Sequence, residues 1–189
     1  MRSRALFLDR DGIVNEDHGF VWKSEEIIFQ KGILELGRFF TSRKWKIIIV
    51  SNQSGIARGL YQVEDVLKVH EFIREKFSFH RIKIDDFYFC PHYPPVSGPC
   101  SCRKPEPGMM LAAADKHYID LPASIMVGDK DSDMQAAKAA GIGSRYLLPG
   151  NYDASGDEGV IVIDDLREII RIESEKVDGP ARGAKTTLS

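Results

Sequence analysis

Four short apolar runs, each ending on a small, acidic or thiol residue, constrain this chain more than any other feature. Ala5 to Leu8 runs into Asp9, Ile47 to Val50 into Ser51, Phe87 to Phe89 into Cys90, and Ile125 to Val127 into Gly128-Asp129. None alternates polar with apolar residues, so each reads as a strand buried on both faces. Between them lie stretches with helical periodicity: Gly32 to Lys44, Val63 to Phe79, Met109 to Tyr118 opened by Pro107-Gly108, and Met134 to Ala140 stopped by Gly141. Two more short strands, Tyr146 to Leu148 and Val160 to Ile163, and a helix from Leu166 to Ile172 complete the alternation. Strand and helix in turn predict an α/β chain, a three-layer α/β/α arrangement of the Rossmann-like kind with a mainly parallel sheet.

Ligands of such sheets bind beyond the carboxyl ends of the strands. Asp9, Ser51 and Asp129 are therefore expected on one edge, and Lys104 reaches it through the loop that follows the third strand. Asp9-Arg10-Asp11-Gly12 puts two carboxylates at a strand end, which suits a metal, a phosphate or proton transfer; an ordinary Asp-Gly turn is the plain alternative. Three acids in one crevice, Asp9, Asp11 and Asp129, would repel unless a cation held them, and oxygen ligands favour Mg²⁺. A hydroxyl and a lysine opposite would hold phosphate, so the set points to phosphoryl transfer with a carboxylate as nucleophile.

Length and charge bound the rest. The 189 residues suit a single domain, expected over 1–174 with a mobile polar tail over 175–189. Lys and Arg number 26 against 28 Asp and Glu with no long block of either, which argues against nucleic acid or a membrane surface as partner. Apolar runs only reach strand length, so no membrane span is expected. A cytoplasmic monomer acting on a small phosphorylated molecule is the expectation.

Three cysteines within thirteen residues do not make a secreted disulfide framework. Cys90-Pro91-His92 with Cys100-Ser101-Cys102 offers three thiolates and an imidazole, the donor set of a closed structural Zn²⁺ site. Reduced buried cysteines and a strained Cys-x-Cys disulfide are the alternatives. A zinc loop over 90–104 would stiffen the peptide leading into Arg103-Lys104-Pro105.

Asp9-Arg10-Asp11-Gly12, Ser51 with Asn52, Lys104, and Gly128-Asp129 with Asp133 together resemble the four motifs of the haloacid dehalogenase (HAD) superfamily. That resemblance implies a HAD fold in which Asp9 is the nucleophile and Asp11 protonates the leaving oxygen, then activates water. It also implies that Asp9, the Asp11 carbonyl and Asp129 ligate Mg²⁺, with Asp133 ligating or steadying the metal's waters, and that Ser51 and Lys104 hold the transferring phosphoryl group. The Cys-Pro-His, Cys-x-Cys and Arg-Lys-Pro elements are similar to the subfamily of D,D-heptose 1,7-bisphosphate and histidinol-phosphate phosphatases, which lack a large cap domain.

Asp17-His18-Gly19-Phe20-Val21 resembles a loop of the heptose enzymes, implying that Asp17, His18, Gly19, Phe20, Asn52, Gln53, Ser54, Arg103 and Lys130 contact sugar or phosphate. His18 is equally explained as a structural loop histidine. Arg103 is the candidate for a distal phosphate, because its fork suits a second anion. The leading expectation is a Mg²⁺-dependent phosphatase removing the C7 phosphate of D-glycero-D-manno-heptose 1,7-bisphosphate, on the way to a nucleotide-activated heptose for lipopolysaccharide. Histidinol phosphate or another small ester is the alternative substrate, and a non-catalytic zinc-bearing binding module the alternative class.

Overall fold

The computed structural model describes residues 2–150 and 158–178. Six strands form one parallel sheet: β1 (Ala5–Leu8), β2 (Lys46–Asn52), β3 (Asp86–Cys90), β4 (Ile125–Gly128), β5 (Ser144–Leu147) and β6 (Val160–Val162), in the order β3-β2-β1-β4-β5-β6. β1 lies in the middle, with Phe7 beside Ile48 of β2 and Met126 of β4. Helices α1 (Ile33–Ser42), α2 (Val63–Phe79), α3 (Pro94–Ser97), α4 (Gly108–His117), α5 (Asp131–Ala140) and α6 (Arg167–Asp178) connect or follow the strands.

Alternate residues of each central strand feed opposite sides of the sheet. Leu6, Leu8, Ile47, Ile49 and Val127 pack with Phe40 of α1, Ile73 and Phe77 of α2, and Ile169 of α6. Ala5, Phe7, Ile48, Val50 and Met126 pack with Met109 and Met110 of α4 and with Met134 and Ala137 of α5. The non-alternating runs thus have apolar partners on both faces. Among the described residues, no helix is long and apolar enough to cross a membrane.

Several boundaries differ from the expectation. β2 continues through Ser51 and Asn52, because their backbones still pair with Phe89 and Cys90 of β3. α5 begins at Asp131, not Met134, since the Asp133 carboxylate accepts from the Lys130 amide and closes the first turn. One helical turn, α3, forms in the Pro-, Gly- and Cys-rich segment after β3, because Pro94 tolerates the first helical position. Leu148 lies outside β5 and Ile163 outside β6. The expected tail from 175 is also corrected, as α6 runs on to Asp178; residues 179–189 lie outside the described residues.

Away from the strand ends, His70 of α2 is buried, stacked on Phe87 at 4.5 Å, and its Nε2 has no hydrogen-bond partner. Burial, followed by the charges of Arg10 and Arg74, pulls its pKa down from 6.5 to about 3. Between those values the unfolded imidazole binds a proton that the folded one refuses, so stability falls as pH drops, by up to about 1.4 kcal/mol per unit. Urea unfolding of His70→Leu from pH 7 to pH 4 should show that slope flattened; an unchanged slope would remove His70 as its source.

Candidate active site

β1 ends at Leu8, one residue before Asp9, β2 at Asn52 and β4 at Gly128, one residue before Asp129, so the carboxyl ends of three adjacent strands bring the motif residues to one edge of the sheet, where a cleft opens. The cleft has a volume of about 450 Å³ and is lined by Asp9, Asp11, Asp17, Gly19, Phe20, Ser51, Asn52, Gln53, Ser54, Tyr61, Arg103, Lys104, Lys130, Ser132 and Asp133.

Lys104 stands at its floor. Only 4% exposed, its Nζ lies 2.6 Å from Asp9 Oδ1, 2.6 Å from Asp133 Oδ1 and 3.0 Å from the Val50 carbonyl. Burial works against its charge, but Asp133 and Asp9 outweigh burial and raise its pKa, so the ammonium persists. The lysine backbone is fixed by Asn52, whose Nδ2 donates to the Lys104 carbonyl at 3.0 Å and whose Oδ1 accepts from the Lys104 amide at 3.1 Å. Asn52, expected to touch substrate, therefore splices the end of β2 to the loop that carries the lysine.

Asp9 is in the opposite electrostatic situation. Burial pushes its carboxyl well above the usual range, Asp133, Asp129 and Asp11 push the same way, and only Lys104 opposes them. Carboxylate oxygens of Asp9, Asp129 and Asp133 lie within 4.8 Å of one another. Asp129 Oδ1 is buried without a hydrogen-bond partner. A buried, unpartnered carboxylate oxygen is costly, and a hard cation is the partner that this donor set fits. Glycine makes the approach feasible: Gly12 sits at φ +98°, and a Cβ there would fall 2.4 Å from Asp129 Oδ2.

The Asp11 side chain is held apart from that acidic cluster. Its Oδ1 accepts from Arg10 Nε at 3.0 Å, Arg10 Nη2 at 2.8 Å and Asn15 Nδ2 at 3.1 Å, and its Oδ2 accepts from Gln53 Nε2 at 3.0 Å. The two aspartates, one residue apart, thus occupy different environments. Gln53 also donates to Ser51 Oγ at 2.6 Å and accepts from the Tyr61 hydroxyl at 2.8 Å. With only 2% exposure it orients Asp11 and Ser51 from behind.

The loop of Asp17 to Phe20 crosses one side of the cleft. Asp17 Oδ1 accepts from the Gly19 amide at 2.9 Å, and Oδ2 pairs with Lys130 Nζ at 3.1 Å. Burial acts to raise the Asp17 pKa, yet the Gly19 amide and Lys130 together hold it below the usual value. His18 does not line the cleft. It lies in a neighbouring depression with Gln30 and Asp129, half-exposed and 3.4 Å from Glu16. Arg103 lines the cleft and donates to the His92 carbonyl at 3.1 Å.

Behind Arg103 and Lys104 the Cys/His cluster is assembled. Sγ of Cys90 lies 3.0 Å from that of Cys102 and 3.6 Å from that of Cys100, and Cys100 and Cys102 are 3.6 Å apart. His92 Nδ1 is 3.5 Å from Cys90 Sγ and 3.3 Å from Cys102 Sγ. All three cysteines are free, which overturns the disulfide alternative. Four donors bound to one zinc at about 2.0–2.3 Å stand roughly 3.3–3.8 Å apart, so the cluster needs little adjustment to enclose it. Burial, then the Cys102 thiol, pushes the Cys90 pKa far up, a cost that a bound cation reverses.

Sequence reasoning missed Arg10, Asn15 and Tyr61. Arg10 is completely buried, bonded to Asp11 and at 2.5 Å to the Val21 carbonyl, and so ties the strand end to the Asp17 loop. An arginine between two acids at the end of an apolar run was the available signal, since burial of its fork requires paired acceptors. No comparable signal marks Asn15 or Tyr61.

A parallel sheet with an acid–lysine–acid floor at its carboxyl edge defines a HAD-type hydrolase. A HAD-hydrolase-like family model matches residues 101–169. D-glycero-α-D-manno-heptose-1,7-bisphosphate 7-phosphatase of Campylobacter jejuni is 42% identical over 176 residues, covering 93% of this chain and 99% of its own. The β-anomer 7-phosphatase of Yersinia pestis is 44% identical over 149 residues, 76% of this chain and 79% of that protein. The crystal structure of D,D-heptose 1,7-bisphosphate phosphatase from B. bronchiseptica, complexed with magnesium and phosphate, superposes with a TM-score of 0.83 at 32% identity, over 92% of this chain and 99% of that one. The chain belongs to the HAD phosphatases, in the family of the heptose-1,7-bisphosphate 7-phosphatases.

Proposed function

We propose that this protein hydrolyses the C7 phosphate ester of D-glycero-D-manno-heptose 1,7-bisphosphate. The observation that carries the reading is the buried Asp9–Lys104–Asp133 chain beneath a cleft edged by Arg103 and Lys130, in a chain 42% identical to a named 7-phosphatase over 93% of its length.

Asp9 attacks phosphorus while Asp11 gives a proton to the leaving sugar oxygen, forming an aspartyl phosphate and free heptose 1-phosphate. Asp11, now a carboxylate, takes a proton from water, whose oxygen attacks the same phosphorus, and Asp9 and inorganic phosphate are released. Lys104 and Ser51 neutralise and orient the phosphoryl oxygens. Asp9, the Asp11 carbonyl and Asp129 would hold Mg²⁺, which supplies Lewis-acid stabilisation of phosphoryl charge. Asp133, with one oxygen on Lys104 and the other on the Lys130 amide, fits support of that site better than direct ligation. Zn²⁺ on Cys90, His92, Cys100 and Cys102 would be structural, because all four donors come from protein and leave no open position.

The test is a steady-state comparison of kcat/KM on both heptose 1,7-bisphosphate anomers and histidinol phosphate. The better bisphosphate should be preferred over histidinol phosphate by about a hundredfold or more; preference for histidinol phosphate would overturn the assignment. Arg103→Ala should cost the bisphosphate roughly ten times more than it costs heptose 7-phosphate, as loss of one charge-assisted contact predicts. Equal losses would refute its distal-phosphate role.

A further inference from the structure

Arg58 is a second arginine close to the cleft, next to the lining residue Phe20, on the loop between β2 and α2. Its guanidinium lies 3.7 Å from the ring centroid of Tyr93 and 5.6 Å from that of Phe20. Tyr93 directly follows His92 of the Cys/His loop, and Phe20 belongs to the Asp17 loop that lines the cleft. The backbone beside Arg58 is docked on the same Cys/His loop, since the Ala57 amide donates to the Pro91 carbonyl at 3.3 Å.

Two features distinguish this arginine from a solvated surface charge. Among the described residues, no carboxylate pairs with its guanidinium and no acceptor is bonded to it, so its N–H donors are uncommitted. Stacking on an aromatic ring nevertheless restrains the guanidinium plane, which lowers the entropy lost when its edge engages an anion. Phe20, beside Arg58, has φ 41° and leaves a large ring 45% exposed.

Arg103 approaches from the same loop, tied to the carbonyl of the residue before Tyr93. The two guanidiniums are thus anchored on consecutive residues, His92 and Tyr93. The attacked phosphate belongs with the buried Asp9 and Lys104, whereas neither of these two arginines is buried among them.

From this geometry we infer that Arg58 is a specificity-determining residue, which binds the non-reacting phosphate of a bisphosphorylated substrate together with Arg103. The inference rests on the proposed bisphosphate activity and adds a residue to it. Recognition is then bivalent: the sugar spans from the floor to the two arginines, and a monophosphate forfeits the outer contact.

The experiment compares wild type, Arg58→Ala and Arg58→Lys on heptose 1,7-bisphosphate and on heptose 7-phosphate, with metal content measured for each protein. Arg58→Ala should lower kcat/KM for the bisphosphate about tenfold to a hundredfold more than for the monophosphate, mainly through KM. Arg58→Lys should recover part of that selectivity, since it keeps charge but not the planar fork. Heptose 1-phosphate, the product, should inhibit Arg58→Ala more weakly than wild type. If wild type prefers the bisphosphate and Arg58→Ala keeps that preference, or loses both substrates equally, the role of Arg58 is refuted and the function stands. Failure of wild type to prefer the bisphosphate overturns both.

Discussion

Asp9→Asn is expected to reduce phosphate release by on the order of 10⁴-fold or more, with the protein still folded. Asparagine reproduces the shape of aspartate, and its Oδ1 can still accept from Lys104 Nζ, which sits 2.6 Å from the aspartate oxygen. What disappears is the proposed nucleophile. The stability consequence runs the other way from most buried substitutions, because Asp9 is held at a cost: burial and the charges of Asp133, Asp129 and Asp11 all disfavour its ionised form. Without added Mg²⁺, the thermal midpoint should therefore stay within about 5 °C of wild type or rise. Residual Mg²⁺-dependent turnover within about a hundredfold of wild type, in protein free of contaminating phosphatase, would remove Asp9 as the attacking group.

Cys102→Ser is expected to lose zinc and, through Lys104, to lower kcat by about ten- to a hundredfold. Cys102 is two residues before the lysine, and its sulfur stands within 3.6 Å of every other donor in the cluster. The lysine backbone is also gripped by Asn52. Loss of the cluster frees one end of a short peptide whose other end must hold an ammonium between Asp9 and Asp133. The loss should fall on kcat and affect mono- and bisphosphate alike, in contrast to substitutions of Arg58 or Arg103. Elemental analysis of protein purified without chelators reads the metal directly. Absence of zinc from wild type would sink the assignment, and full zinc with normal turnover in Cys102→Ser would break the link to Lys104.

Much of this site was legible in the chain because strand ends announce themselves. A buried parallel strand is an apolar run, and the residue after its last apolar position has to lie at the carboxyl edge, so Asp9, Ser51 and Asp129 could be placed together without coordinates. Spacing carried the Cys/His set in the same way, since Cys90 to Cys102 is a single loop. Long-range side-chain roles were not legible. Asn52 and Gln53, expected at the substrate from the family resemblance, do line the cleft, and what the sequence did not show is that one also grips the backbone of Lys104 and the other braces Asp11. His18 was expected at the site from the resemblance of its loop, whereas it lines the depression beside the cleft, with Asp129 and Gln30. In an irregular segment no periodicity says which way a side chain points.

The sequence by itself determined the layered α/β arrangement and the sheet edge at which Asp9, Ser51 and Asp129 lie. These rest on local patterns: apolar runs of strand length, helical stripes, and acids or thiols at fixed offsets. Only the tertiary structure decided how Asp9 and Asp11 differ. Both are aspartates at the end of β1, but one is pressed among carboxylates and an ammonium, and the other is bonded to Arg10, Asn15 and Gln53. Gln53 lies 42 residues from Asp11, and Lys104 lies 95 from Asp9. The field at a buried carboxylate is the sum over whatever folding brings within a few ångströms, and no pattern along the chain records that sum.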